Sequence, residues 1–97
     1  MYEITKIKDQ TTSEGIRGIY ANTCREVCSQ QIAVAVKDGV ILDAGFYGGC
    51  SGNAQGICKL VAGMKVEDAI SRLEGIRCGD KGTSCPDQLA KTLKLFR

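Results

Sequence analysis

The sequence predicts an α+β domain, in which a small antiparallel sheet is followed by three helices packed on one face. Two apolar, β-branched segments, residues 31–36 and 40–47, are joined by Lys37-Asp38-Gly39. An Asp-Gly pair between two such segments is a strong signal for a β-hairpin. After Asn53 the spacing of apolar residues changes from two to nearly four, which indicates helices. Strands first and helices afterwards are typical of the α+β class.

The N-terminal part of the chain predicts two further short strands. Tyr2, Ile4 and Ile7 are expected to belong to the first of them. Residues 9–15 are polar and end in glycine, so they are predicted to form a loop or turn. A second short strand is expected within residues 16–23.

Three helices are expected after the hairpin. The first has its apolar residues on one stripe, which comprises Ala54, Ile57, Cys58, Val61 and the nearby Met64. It is predicted to end at Gly63, because glycine is common just beyond a helix. The second helix repeats the pattern and should end near Gly75; its apolar residues are Val66, Ala69, Ile70 and Leu73.

The third helix has a clear N-terminal signal. Ser84 or Thr83 is expected to cap it, with Pro86 in the first turn and Asp87 near the positive end of the helix dipole. Its buried stripe is predicted to comprise Leu89, Leu93 and Phe96.

Length, charge and composition limit the possible functions. We expect residues 1–97 to form a single domain, because 97 residues are few for two domains. A net charge of +2, no tryptophan and five aromatic residues argue against nucleic-acid binding. There is no N-terminal export signal and no apolar run of the roughly 20 residues that span a bilayer. These features predict a cytoplasmic protein without membrane contact.

Six cysteines and no histidine are the most unusual part of the composition. In a secreted protein they would suggest three disulfides, but the helical periodicity and the missing signal peptide speak against that interpretation. In a reducing compartment, clustered cysteines are more often metal ligands or redox groups.

Cys50 and Cys85 each lie in a loop of small residues that opens a predicted helix. The first helical turn has unpaired N–H groups and the positive end of the dipole, and therefore favours a thiolate. The glycines around Cys50 also leave its sulfur unshielded. Thiolates bind metals and attack electrophiles, so these two residues are the best candidates for a site.

The other four cysteines differ in their signals. Cys24 and Cys28 are four residues apart, a spacing at the edge of the range for structural zinc sites, and two unligated small residues fit equally well. Cys78 lies in a polar loop and could be a fourth ligand, a redox partner or an ordinary loop thiol. Cys58 is on the apolar stripe of the first helix, where a buried packing cysteine is expected.

Several segments resemble the TSCPD domain family. The matching segments are Val27-Cys28-Ser29, Phe46-Tyr47-Gly48-Gly49-Cys50-Ser51-Gly52-Asn53, Cys78-Gly79 and Thr83-Ser84-Cys85-Pro86-Asp87-Gln88-Leu89-Ala90. The family includes small stand-alone proteins and the C-terminal region of cobalamin-dependent ribonucleoside-diphosphate reductases. The resemblance implies family cysteines at Cys28, Cys50, Cys78 and Cys85. It also implies a link to a ribonucleotide reductase and to deoxynucleotide synthesis.

The order of elements has a weaker likeness to the iron–sulfur cluster scaffold proteins. Those proteins use three cysteines at positions matched here by Cys28, Cys50 and Cys85. However, Ser84 stands where a scaffold has histidine, and Gln30 where it has an acidic ligand. The likeness is therefore consistent with metal binding more than with cluster transfer.

The sequence predicts a cysteine-rich module in which Cys28, Cys50, Cys78 and Cys85 hold zinc or an iron–sulfur cluster; thiolate ligands suit both. The chain is too short to hold the barrel of a reductase, so catalysis by the chain alone is not expected. The alternatives are a thiol–disulfide shuttle for a reductase and a metal-free protein-interaction domain. Nucleotide binding by the glycine loop is disfavoured, because no Walker lysine is present.

Overall fold

A computed structural model describes residues 3–24, 27, 30–48, 52–77 and 82–97. Four strands form one antiparallel sheet in the order β1-β2-β3-β4. They are followed by three α-helices and a 3₁₀ turn. The elements are β1 (Thr5–Thr11), β2 (Arg17–Asn22), β3 (Gln31–Lys37), β4 (Val40–Tyr47), α1 (Gly52–Val61), α2 (Val66–Leu73), α3 (Cys85–Leu93) and the 3₁₀ turn (Lys94–Phe96).

The predicted hairpin is confirmed. Asp38 and Gly39 join β3 to β4 with φ angles of 53° and 77°, the backbone of a tight turn that follows the twist of the strands. The loop after α1 continues the hairpin, because Ile41 donates its N–H to the Met64 carbonyl and accepts from the Gly63 N–H, at 2.8 and 2.7 Å. Residues 63–65 thereby cover the first part of β4, at the edge of the sheet.

The helices cover one face of the sheet, as the α+β prediction requires. The residues of this face alternate along the strands with residues of the opposite face. Buried side chains from β3 and β4 meet buried side chains from all three helices; the core comprises Ile32, Val34, Val36, Ile41, Val61, Val66, Ala69, Ile70, Leu89 and Leu93. Phe96 is packed against this core but is only partly buried.

The helix boundaries agree closely with the sequence patterns. The helix α1 begins at Gly52, slightly before the predicted start, and ends two residues before Gly63, whose φ is 90°. The helix α2 ends at Leu73, and Gly75 has φ 84°. No helix in the described ranges has the length and apolar character needed to cross a membrane.

The predicted loop over residues 9–15 is wrong in its first part. The strand β1 extends to Thr11, and Asp9 pairs with Ile19 of β2. The polar side chains are compatible with a strand because all seven residues of β1 are exposed. Arg17 also reaches across from β2 and donates to both carboxylate oxygens of Asp9, at 2.9 and 2.6 Å. Of the residues expected in this strand, Ile7 lies within it, Ile4 precedes it and Tyr2 lies outside the described residues.

Substitution of Gly39 by alanine is expected to destabilise the domain by about 1 kcal/mol, because its φ of 77° is strained for a residue with a Cβ atom. The matched control is Gly56→Ala in α1, where no atom lies within 4 Å of the added Cβ and φ is not positive. This second change should stabilise the domain by up to about 1 kcal/mol. Urea denaturation of both variants measures the difference; equal effects would contradict the assigned turn.

The Asp9–Arg17 pair predicts a titration at low pH. The hydrogen bonds from Arg17 lower the pKa of Asp9 to about 2. The stabilisation from this pair is therefore complete above the pKa of an unfolded aspartate, about 4, and is lost as the pH falls towards 2. NMR titration of the carboxyl carbon should give this pKa, and Arg17→Gln should raise it. Arg97→Gln is the control, because Arg97 pairs with Glu67 instead; an unchanged Asp9 pKa in Arg17→Gln would refute the pairing.

Candidate functional site

The helix α3 begins with the geometry that the sequence predicts. Ser84 is its N-cap, in extended conformation, and its Oγ accepts the N–H of Asp87 at 3.2 Å. Cys85 is the first helical residue, and Pro86 follows it in the first turn. The thiol of Cys85 is half-buried. This places one predicted site residue at a helix N-terminus, as expected.

A buried polar network surrounds this helix start. The Thr83 hydroxyl donates to Asp87 Oδ2 at 2.5 Å and accepts from Gln88 Nε2 at 3.1 Å. All three side chains are almost completely buried. Such groups are costly to bury unless they are paired, and no buried side-chain oxygen or nitrogen lacks a partner in the described residues. The network is thus fully satisfied, as a rigid structural element requires.

The same network fixes the end of α2 against α3. Asp87 Oδ1 accepts the Gly75 N–H at 2.8 Å, and Ser84 Oγ donates to the Ile76 carbonyl at 2.7 Å. Residues 75 and 76 lie shortly before residues 78–81, which include Cys78 and lie outside the described residues. These hydrogen bonds therefore join the chain before that segment to the chain after it.

Asp87 is ionised within this network. Burial alone would raise the pKa of Asp87, but hydrogen bonds from Thr83 and Gly75 and the nearby Lys91 ammonium outweigh that effect and lower it. The Lys91 Nζ atom is 3.4 Å from Asp87 Oδ2. A buried carboxylate with a charged partner and several donors is stabilised in its charged form. The negative charge also lies in the first turn of α3, where the helix dipole favours it.

Gln88 connects this helix start to the loop between β2 and β3. Its Oε1 accepts the backbone N–H of Cys24 at 3.0 Å, across 64 positions of sequence. This is the loop that contains Cys28. One glutamine therefore holds the Cys24 segment beside the first turns of α3, near Cys85.

The loop between β2 and β3 also contacts the end of β4. The Thr23 N–H donates to the Gln30 carbonyl at 3.0 Å, and the Gln30 N–H donates to the Tyr47 carbonyl at 2.8 Å. Gly48 has φ 77°, and a Cβ atom there would lie only 2.8 Å from Gln30 Cγ. A Cβ atom at this position would therefore displace the Gln30 side chain, and the positive φ also favours glycine. Gly48 is two residues before Cys50, and Gln30 is two residues after Cys28.

Three of the four predicted ligands, Cys28, Cys50 and Cys78, lie outside the described residues; Cys85 is within them. In the described ranges there is no group of three or more cysteine, aspartate or glutamate side chains that could hold a metal ion, and no disulfide. The proposed ligand set therefore stays a prediction. What the structure adds is the placement of the segments on either side of these cysteines.

The remaining cysteines have different environments. Cys58 is buried, as its position on the apolar stripe of α1 predicts. Burial, and secondly the negative charge of Asp43, raise the pKa of the Cys58 thiol to about 11. It is therefore protonated at neutral pH and unsuited to nucleophilic attack. Cys24 is half-buried.

Sequence reasoning missed the network of Thr83, Asp87 and Gln88. The sequence pattern assigns Asp87 to the helix dipole and Gln88 to the family motif, and it indicates no contact between them and Thr83. A usable signal was present: Gln88 and Thr92 are four residues apart, beside the apolar stripe of Leu89 and Leu93. Both are completely buried, and the Thr92 hydroxyl donates to the Gln88 carbonyl at 3.0 Å.

The fold and this helix start define a class of small α+β domains in which a cysteine-containing motif opens the last helix. Residues 3–97 match the family model of the TSCPD domain. The chain therefore belongs to the TSCPD domain family, as the motif Thr83-Ser84-Cys85-Pro86-Asp87 indicates. No curated protein and no solved structure matched the chain, so the likeness to cluster scaffold proteins stays a prediction.

Substitution of Gln88 by leucine tests the role of the network. Leucine has a similar size but leaves the Cys24 N–H and the Thr83 hydroxyl without this partner, so we expect a loss of about 1–3 kcal/mol in unfolding free energy. The Cys24 amide should then exchange its hydrogen through local opening, at a rate higher than global unfolding alone would give. Gln55→Leu, at an exposed position of α1, is the control and should be close to neutral. Unchanged protection of Cys24 in Gln88→Leu would show that the glutamine does not hold this loop.

Proposed function

We propose that this domain binds zinc or an iron–sulfur cluster through Cys28, Cys50 and Cys85, with Cys78 as the fourth ligand. One observation carries the proposal: described residues close in sequence to each of these cysteines meet at the same end of the sheet and beside the start of α3. Four separate segments of the chain are involved. Convergence of such segments is the requirement for a closed four-ligand site.

Three contacts support this convergence, and a side chain takes part in each of them. Gln30, two residues after Cys28, is in contact with Gly48, two residues before Cys50. Gln88 bonds the loop of Cys28 to the helix that starts at Cys85. The Ser84–Ile76 hydrogen bond adds Ile76, two residues before Cys78, to the same region.

The electrostatics of this end suit an anionic centre. A zinc ion with four thiolates has a net charge of −2, which the positive ends of helix dipoles stabilise. The helix α1 begins two residues after Cys50 and has no acidic residue in its first turn. The helix α3 begins at Cys85, and the carboxylate in its first turn is already paired with donors.

The ligand chemistry is compatible with two metals. Zinc is held by four thiolates in tetrahedral sites that leave no open position, which makes them structural. Iron–sulfur clusters are also held by four thiolates. No histidine is available for either. Bound metal would stabilise the fold, because it joins four segments that a domain of this size holds with a modest core.

The resemblance described above supports a setting for this module. We propose that its partner is a ribonucleotide reductase and that it acts in the reducing cytoplasm, where thiolates stay available for a metal. In this setting the chain is an accessory module of deoxynucleotide synthesis, and the reductase contributes the catalysis.

Metal analysis of protein purified under reducing conditions without added metal tests the proposal. We expect one zinc per chain, or iron with acid-labile sulfide and visible charge-transfer absorption. Cys28→Ser, Cys50→Ser and Cys85→Ser should each lose most of the metal and lower the melting temperature. Cys58→Ser is the matched control and should retain it, since that thiol is buried and protonated. Wild-type protein that is folded and free of both metals would overturn the proposal.

A thiol–disulfide shuttle is the second candidate. It is favoured by the half-buried Cys24 and Cys85 on two segments that Gln88 joins. In this function two thiols would reduce a disulfide of the reductase and form one disulfide themselves. Mass spectrometry after mild oxidation would then show one defined, reversible bridge. A metal-free protein with no defined bridge would instead indicate a protein-interaction domain.

A further inference from the structure

The face of the sheet opposite the helices has an unusual composition. Residues directly opposite each other in antiparallel strands have their side chains on the same face. The registers therefore define three rows that cross all four strands on this outer face: Lys8, Tyr20, Ala33 and Gly45; Gln10, Gly18, Ala35 and Asp43; and Thr5, Asn22, Gln31 and Tyr47. A shorter row pairs Lys37 with Val40. The centre of the face is small and apolar, whereas the solvated face of such a sheet is normally polar.

The outer face has both a hollow and projecting rings. Gly18, Ala33, Ala35 and Gly45 are the floor of a shallow hollow of about 240 Å³. Tyr20 and Tyr47 line it and are 41% and 54% exposed. Large exposed aromatic residues around a small apolar centre are typical of a protein–protein contact.

The charges at the two edges of this face are opposite in sign. Lys8 lies on β1 at one edge, and Asp43 lies on β4 at the other, where it borders both the outer hollow and the side chains of α1. A two-fold axis parallel to the strands would place β1 of one copy over β4 of the other, and β2 over β3. Lys8 would then lie over Gly45 of the second copy, two residues along the strand from Asp43. This contact would occur twice by symmetry.

The same two-fold rotation also makes the surfaces of the two outer faces complementary. Tyr20 on β2 would lie over Ala33 on β3 of the second copy, so each projecting ring meets the hollow of the other face. Two antiparallel sheets packed face to face in this way are about 10 Å apart, with strand directions within about 30° of each other. The small residues at the centre allow that approach.

We propose that a second copy of this chain covers the outer face, and that the two sheets form a face-to-face dimer. Four strands about 4.8 Å apart and seven residues long give a flat area of roughly 440 Å² per copy. The total is near the lower limit of about 1,000 Å² for specific interfaces. The dimer should therefore dissociate on dilution. Because the axis is parallel to the strands, both copies present the end with Gln31 and Tyr47 in the same direction.

Sedimentation equilibrium over a range of protein concentrations tests this proposal, with a charge exchange to locate the interface. Lys8→Glu and Asp43→Lys should each raise the dissociation constant of the dimer about three- to tenfold, because two attractive pairs become repulsive. The double variant Lys8→Glu/Asp43→Lys should restore dimerisation. Ala33→Lys, at the centre of the face, should abolish it.

Leu60→Lys is the matched control, since Leu60 on α1 is exposed away from the outer face, and it should dimerise like the wild type. Circular dichroism of each variant confirms that it is folded. A wild-type protein that stays monomeric at millimolar concentration overturns the proposal, including when a different protein is found on this face. A dimer that is insensitive to both the charge exchange and Ala33→Lys overturns it as well, because the interface then lies elsewhere.

Discussion

The buried carboxylate of Asp87 is the constraint on which the position of the start of α3, with Cys85, depends. An ionised carboxylate inside a protein is costly unless it is paired and hydrogen-bonded. Here the donors come from three places: the Thr83 hydroxyl, the Gly75 N–H at the end of α2, and the Lys91 ammonium one turn further along α3. Movement of α3 relative to α2 would expose that charge or leave it unpaired. The start of α3 is therefore fixed, and so is the position of Cys85.

The motif around Cys85 can be understood in these terms. Thr83 and Asp87 bond to each other, Ser84 caps the helix and Pro86 sets its first turn. Four of the five residues thus have a structural task that positions the backbone of the fifth. Gln88 extends this arrangement to the loop between β2 and β3. The described contacts of this motif are structural: they join the start of α3, the chain just after α2 and the loop between β2 and β3.

The features that the sequence predicts correctly are those with a local cause. The hairpin follows from Asp38-Gly39, α3 from its cap and proline, and the buried position of Cys58 from the spacing of apolar residues. The extension of β1 to Thr11 comes from its pairing with β2, where Arg17 also bonds to Asp9, and no local pattern in residues 9–11 shows that partner. The contacts of Gln88 also join residues far apart in sequence, and a glutamine is ordinarily expected at the surface. The set of candidate cysteines is thus a prediction from the sequence, whereas the arrangement of the segments around Cys85 comes from contacts that only the structure shows.

One strand register determines which residues lie on each face of the sheet. On the inner face, Ile19, Val34 and Ala44 form one row; Ile19 and Val34 are buried, and Ala44 is packed against the core. On the outer face the corresponding rows are made of glycine, alanine and tyrosine. A strand register that slipped by one residue would exchange the two faces, so the core also fixes which residues the outer face presents. Gln31 and Tyr47 form the last paired position between β3 and β4. Next to this pair, the Gln30 N–H donates to the Tyr47 carbonyl. A dimer with its axis along the strands would accordingly bring the ends with Gln31 and Tyr47 of the two copies side by side.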